Sequence, residues 1–400
     1  MTHRNALIAG AGIAGPALAY WLHHHGIRAT VVERAPALRE GGQTVDLRGA
    51  GRAVARRMGL EPALKAVATH EEGIHFVDAA GRAKASFPSG SFGGQGPIAE
   101  LEILRTDLSH LLYEATAEHT EYLFGDEITQ VTDTGEHVHA AFRHGPDRTF
   151  DLLVAADGAR SRTRDLVFGD STDTTALGLS TAYFTIPSDP TDDDRWARWA
   201  RWHNAPGGRT VTLRPDNRGT IRAYLSFLSP PRGHELLDPE TQKRLLHQVF
   251  AGVGWQAPRV LAAMDTAPDF FFETVTQVRM PRWSQGRVAV LGDAGYCASP
   301  LSGMGTSLAF TGAYVLAGEL AHRPHHTQAF HHYETLLRPY VERAQALPPG
   351  VPRVATPRTR AGIHTLNTLL RAASQPRIAK ALNRYLVPPA DTFALPSYGA

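Results

Sequence analysis

One cysteine in 400 residues, Cys297, leaves no internal disulfide and no cysteine-based metal cluster. That scarcity suits a reducing cytoplasm. No apolar run reaches the ~20 residues a bilayer-spanning helix needs, so no membrane partner is expected. Neither sign of charge is concentrated. The 41 Lys and Arg against 39 Asp and Glu leave a formal +2, without a basic run to hold nucleic acid. The patterns Gly-x-Ser-x-Gly and Gly-x-x-x-x-Gly-Lys-Ser/Thr are absent, which removes the α/β-hydrolase and P-loop readings. The Trp-x-Trp-x-Ile-Pro signature of flavin halogenases is missing too; Trp199-Ala-Arg-Trp202 does not supply it. His23-His24-His25, His325-His326 and His331-His332 lack partners at ligand spacing and read as solvated helix surface, so no metal is expected.

What is present is an ordinary globular balance, 42% hydrophobic and 20% charged, in a chain long enough for two or three domains. Residues 2–22 have the basic-then-apolar profile of a signal peptide, but their glycines fall at the spacing of a nucleotide-binding turn. Residues 5–9 read as a buried strand, 16–25 as a helix stopped by Gly26, and 27–33 as a second, β-branched strand. That βαβ unit implies a parallel sheet with a right-handed crossover. A helix is predicted over 100–120, with Leu101, Leu104, Leu108, Leu111 and Leu112 on one face. Residues 151–156 and 287–291 are further apolar strands.

Different material lies between. Residues 174–230 alternate as strands, with a hairpin of 209–214 and 220–227 around the turn 215–219. An amphipathic helix over 240–251 and a strand over 270–278 follow. Residues 90–96 are expected to form a loop or hairpin tip. The tail from Pro348 is Pro-rich, then helical to about Arg384. The predicted class is α/β. A Rossmann-like domain with a parallel sheet (1–72, 98–172, 280–345) is interrupted by a mostly antiparallel β-sheet domain (73–97, 173–279), and a C-terminal helical segment and tail occupy 346–400.

Gly10-Ala11-Gly12-Ile13-Ala14-Gly15 sits between strand and helix. The first glycine permits the tight turn, the second a close approach to pyrophosphate, the third close helix–strand packing. The helix start offers free N–H groups and a positive dipole end to phosphate. Glu33 closes the second strand where a carboxylate can accept from a ribose 2′-OH, favouring FAD or NAD over NADP at this site. Two later motifs choose FAD. Asp157-Gly158 follows the third strand. Gly292-Asp293-Ala294 follows the fourth and runs into Pro300-Leu-Ser-Gly303-Met304-Gly305 before a helix over 306–320. Asp293 suits the ribityl hydroxyls, and a helix start at Gly303–Gly305 suits the flavin edge that becomes anionic on reduction.

With GAGIAG, Glu33-Arg34, Arg105, Asp157-Gly158 and Gly292-Asp293 all placed, the chain resembles the class A flavoprotein monooxygenases of the p-hydroxybenzoate hydroxylase fold, in the branch similar to tetracycline-modifying monooxygenases. The resemblance runs from residue 5 to about 320. It implies bound FAD, transient NADPH or NADH, and a C4a-hydroperoxyflavin as oxygen donor. By it, Arg34 and Arg105 serve FAD, Arg105 at its phosphate or ribityl region, residues 42–48 with Arg48 line the flavin, and Asp157 belongs to the motif linked to both nucleotides. This chain departs from the family twice: Tyr296 stands where Gly-Asp-Ala-Ala-His has histidine, and Thr311-Gly312 replaces an Asp-Ala pair.

The expected activity is hydroxylation of a small hydrophobic aromatic or polyketide-like molecule, with flavin-borne chemistry and no catalytic side chain assigned. Tyr183, Trp202, Tyr224, Phe270 and Phe272 are candidate substrate contacts, and Trp196, Trp199 and Trp202 a candidate flap. A dry pocket is needed to protect the reactive state. A catalytically silent FAD protein that sequesters a ligand, and a flavin reductase or oxidase, stand as alternatives. A monomer or weak homodimer is expected.

Overall fold

The computed structural model describes residues 5–91, 101–189, 198–348, 350–375, 378 and 393–399. The chain opens with β1 (Asn5–Ala9), α1 (Ala14–His24) and β2 (Arg28–Glu33). It continues through β3 (Thr44–Asp46), α2 (Gly49–Arg57), α3 (Glu61–Ala66), β4 (Gly73–Val77), β5 (Ala83–Pro88), β6 (Glu102–Leu104), α4 (Arg105–Glu114) and β7 (Glu121–Phe124). An outer ribbon of β8 (Ile128–Asp133), β9 (Val138–Phe142) and β10 (Arg148–Phe150) leads into β11 (Leu152–Ala155) and α5 (Arg162–Phe168). The long excursion is β12 (Asp173–Pro187), β13 (Trp199–Ala205), β14 (Arg209–Pro215), β15 (Thr220–Leu228), α6 (Pro239–Phe250), α7 (Ala257–Thr266) and β16 (Phe271–Arg279). Last come β17 (Ser284–Gln285), β18 (Val288–Val290), α8 (Asp293–Tyr296), α9 (Gly305–His322), α10 (His326–Gln345), α11 (Val351–Ala355) and α12 (Arg360–Ala373).

The apolar strands do what fully apolar strands must, lying mid-sheet with both faces covered. One sheet runs β17-β18-β11-β1-β2-β7 and is parallel except for the β17 edge. The second runs β16-β12-β15-β14-β13-β4-β5 and is antiparallel except where β13 meets β4. One face of this second sheet is a hydrophobic core under α6 and α7, where Phe184, Leu225 and Phe272 meet Leu246, Phe250 and Met264. Asp238 caps α6, its Oδ1 accepting from the Thr241 amide at 3.0 Å, the favoured role of a short acid before a helix.

Two expectations change. The helix predicted over 100–120 starts only at Arg105, because Glu102–Leu104 pairs antiparallel with β3. Trp199 and Trp202 lie on β13 inside the sheet, not on a flap: Trp199 stacks on His75 with centroids 4.2 Å apart. The expected helix of the tail is present as α12 over Arg360–Ala373. Trp196, most of the 90–96 tip and Arg384 lie outside the described residues. No helix among the described residues is long and apolar enough to cross a membrane, and none of their His, Cys, Asp and Glu side chains groups to hold a metal. The last described stretch returns to α9. Pro396 O accepts from the Tyr314 hydroxyl at 2.8 Å, and the Tyr398 hydroxyl donates to Glu319 Oε1 at 2.8 Å.

Candidate active site

The turn after β1 admits only glycine at two points. Gly10 has φ 104°, and a Cβ there would lie 2.6 Å from the Ala156 carbonyl oxygen; at Gly15 it would lie 1.9 Å from the Gly10 oxygen. Glu33, at the end of β2, spans the turn by accepting from the Ala11 amide at 2.9 Å and the Ala35 amide at 2.9 Å. Arg105, first residue of α4, reaches over the same turn: its Nη2 is 3.3 Å from a Cβ built on Gly12, and its Cδ is 3.8 Å from one on Gly42.

The late motif arrives at the same place. A Cβ on Gly292 would stand 3.1 Å from the Ala14 Cβ, and one on Gly305 3.7 Å from Asp293 Oδ1. Thus the glycine turn, the start of α4 and the start of α9 converge on one groove. The Arg105 amide donates to Gln43 O at 3.1 Å, but its guanidinium donates to no described residue, and its loss of hydration lowers its pKa while Asp293, Glu33 and Glu273 oppose that. Asp293 is reachable by solvent along the groove yet surrounded by protein. That desolvation pushes its carboxyl up, with Cys297 and Arg105 pulling it down. An unpartnered guanidinium beside a helix start, a space only glycine leaves open, and a carboxylate further along fit an elongated diphosphate carrying hydroxyls, as FAD is.

The other expected cofactor residues are placed around this groove in unequal ways. Arg48 donates its amide to Ser307 Oγ in α9 at 3.0 Å and its guanidinium to Asp46 at 2.6 Å. Pro300 opens the short helical turn before Gly303, and Met304 is buried behind it. Asp157 sits against Gly10 but spends its carboxylate on the start of α5, accepting from the Thr163 amide at 3.2 Å, the Thr163 hydroxyl at 3.0 Å and the Ser161 hydroxyl. Arg34 is exposed just past β2.

The open-sided face of the second sheet turns toward these elements. Cross-strand register aligns Phe271, Tyr183, Tyr224, Thr212, Trp202 and Phe76 in one row. The Tyr224 hydroxyl meets the Thr44 amide at 3.0 Å, which seats this row against β3. Tyr183 and Tyr224 therefore face the groove, whereas Trp202, at the far end of the row, packs with Phe76 beside Leu370 and Ala373 of α12. Phe270 and Phe272 do not face it; they pack into the core under α6 and α7. Strand alternation puts Phe271 and Glu273 in their place, a parity that three successive phenylalanines hide until the partner strand is known. Glu273 accepts from the Tyr183 hydroxyl at 2.9 Å, and Arg39 lies 3.9 Å above the Phe271 ring.

Tyr296 and the glycine at 312, one from each departure from the family pattern, prove to be a single packing event. The Tyr296 hydroxyl lies 2.8 Å from that of Tyr333, which reaches Val290 O at 3.2 Å, and Tyr296 Oη is only 2.2 Å from where a Cβ on Gly312 would be. The larger residue at 296 occupies the space vacated at 312.

A family model described as "FAD binding domain" matches residues 3–347. Uncharacterized protein Rv1260 of Mycobacterium tuberculosis (strain ATCC 25618 / H37Rv) is 41% identical over 352 residues, covering 86% of this chain and 92% of that protein. Flavin-dependent monooxygenase eupH of Phoma sp is 36% identical over 412 residues, covering 95% and 94%. The crystal structure of tetracycline destructase Tet(55) matches with a TM-score of 0.80 at 33% identity, over 99% of each chain. The chain belongs to this FAD-binding family, among the class A FAD-dependent monooxygenases.

Proposed function

We propose that this chain uses FAD, reduced by NADPH or NADH, to place one atom of O₂ on a small aromatic or polyketide-like molecule lying against the Tyr183–Tyr224 face. The observation that carries the reading is the Arg105 guanidinium, poised over Gly12 without a hydrogen-bond partner among the described residues. With Gly10–Gly15 it would hold the diphosphate, Glu33 the adenosine ribose, Asp293 the ribityl chain and the Gly303–Gly305 turn the ring edge. Bound FAD would supply hydride acceptance and oxygen activation, and the side chains supply position, dipole and dryness. The aromatic row offers flat apolar contact, and the Tyr183–Glu273 hydrogen bond fixes its polar end. The similarity to tetracycline destructase Tet(55) supports a fused-ring substrate.

Purified protein titrated with FAD should give a flavin spectrum, and a panel of fused-ring phenols should include one that accelerates NAD(P)H oxidation and gains one oxygen by mass. Asp293→Ala should weaken FAD binding by about tenfold, the worth of roughly one good hydrogen bond. A protein that stays colourless in excess FAD, or an alanine variant that binds as tightly as wild type, refutes the assignment.

A further inference from the structure

A chain of buried and half-buried ionisable groups runs from the second sheet to the α9 turn, and its carboxylates have no role in the site above. β3 and β6 pair so that Asp46 stands directly opposite Glu102. Arg214 on β14 donates to Glu71 through Nε at 3.0 Å and Nη2 at 2.7 Å, and to Glu102 as well. Arg48 donates to Asp46 through Nε at 3.1 Å and Nη2 at 2.6 Å. Glu71 and Glu102 are buried, and the Tyr224 ring carries its hydroxyl alongside. Asp46 ends the chain at the cofactor groove, its Oδ2 lying 3.3 Å from a Cβ built on Gly303.

Charge counting decides the state of this cluster. Among the described residues, Asp46, Glu71 and Glu102 against Arg48 and Arg214 make three negative charges to two positive if every group is ionised. An uncompensated buried charge is costly, and two carboxylates facing each other resist joint ionisation. One retained proton removes both costs. Burial also acts most strongly on Glu102, raising its carboxyl against the pull of Arg214 and with the help of Glu71 and Asp46.

The geometry points to one proton shared by Asp46 and Glu102 beside the α9 turn, held more tightly when a flavin seated at that turn is reduced; this rests on FAD lying in the groove as proposed above. Hydride brings two electrons and one proton to the flavin and leaves it one unit more negative. That charge faces Asp46 across Gly303 and raises the affinity of the pair for its proton. In the pH interval between the two affinities, reduction draws one further proton from water onto the carboxylates. Asp46 and Glu102 are then positioning residues that set the potential of the cofactor.

The test uses the full-length FAD-loaded protein, with midpoint potentials measured against pH by spectroelectrochemistry. For a two-electron couple each additional proton steepens the slope by about 30 mV per pH unit. Wild type should show an interval of that extra slope that Glu102→Gln lacks; a bend common to both belongs to the flavin. Infrared difference spectra of the apoprotein at neutral pH should show a protonated-carboxyl band that shifts in D₂O and is missing from Glu102→Gln. If Glu102→Gln does not fold, Asp46→Asn should remove the same band, because it brings the cluster to two charges of each sign. Parallel potential lines in wild type and variant, or a band that neither substitution removes, overturn the proposal. Failure to bind FAD refutes the proposed function, while the apoprotein band still decides whether the pair holds a proton.

Discussion

Gly312→Ala tests whether Tyr296 and Gly312 act as one unit. The added methyl would stand 2.2 Å from Tyr296 Oη, 2.9 Å from Leu291 Cδ1 and 3.4 Å from Leu337 Cδ2. The hydroxyl cannot swing aside without leaving Tyr333, itself held at Val290 O. Overpacking of this kind costs about 1–3 kcal/mol, against which alanine in a helix interior recovers about 0.5–1 kcal/mol over glycine. A net loss of about 1–2 kcal/mol is expected from these two effects. Tyr296→Phe alone gives up one hydrogen bond, about 1 kcal/mol, and leaves Tyr333 its carbonyl partner. In the Tyr296→Phe background the methyl fills the place of the oxygen, so Gly312→Ala should there be neutral or stabilising. The coupling between the two substitutions should reach about 1–3 kcal/mol in favour of the double variant, as expected for residues in direct contact. Thermal unfolding of the four proteins in excess FAD reads it out, with shifts on the order of 1–3 °C per kcal/mol. An equal cost for Gly312→Ala in both backgrounds would refute the reasoning.

Arg105→Met keeps the length of the side chain and removes its charge. FAD affinity, followed by quenching of flavin fluorescence, should fall by about 10–100-fold, the worth of hydrogen bonds to a charged group; unchanged affinity would show that Arg105 does not hold the diphosphate. Glu273→Gln probes a carboxyl whose half-burial raises its pKa, with the Tyr183 hydrogen bond opposing. An acid that binds its proton more tightly when folded loses stability as pH climbs from its ordinary range through the raised value. The glutamine variant should therefore unfold at a higher temperature than wild type near pH 8, and the gap should shrink near pH 4, as scanning calorimetry will show.

The four central strands of the first sheet, β18, β11, β1 and β2, were legible because their signals are local. All-apolar strands, a glycine spacing and an acid at a strand end each declare themselves within a few residues. β6 was not, since Leu101, Leu104 and Leu108 satisfy a helical period while Glu102–Leu104 answers to β3, far earlier in the chain. Phe271 was missed for a similar reason: the register with Tyr183, not the strand's own pattern, selects one phenylalanine of three. The acidic network around Arg214 joins β3, β6, β14 and the segment after α3, and no single window contains two of its paired charges except Asp46 and Arg48. Tyr296 and Thr311-Gly312 were both visible as oddities; only the packing of α8 on α9 makes them one.

The return of the chain end to α9 has a practical consequence. Gly318 lets the Tyr398 ring press flat on the helix, since any Cβ there would sit 2.2 Å from it. The helix whose first turn borders the glycine-lined groove is thereby clasped at its far half by Pro396 and Tyr398. Cleavage ahead of Pro396 would uncover that glycine notch and leave Glu319 without its phenol, so loosened flavin in an aged preparation points first to an intact-mass measurement.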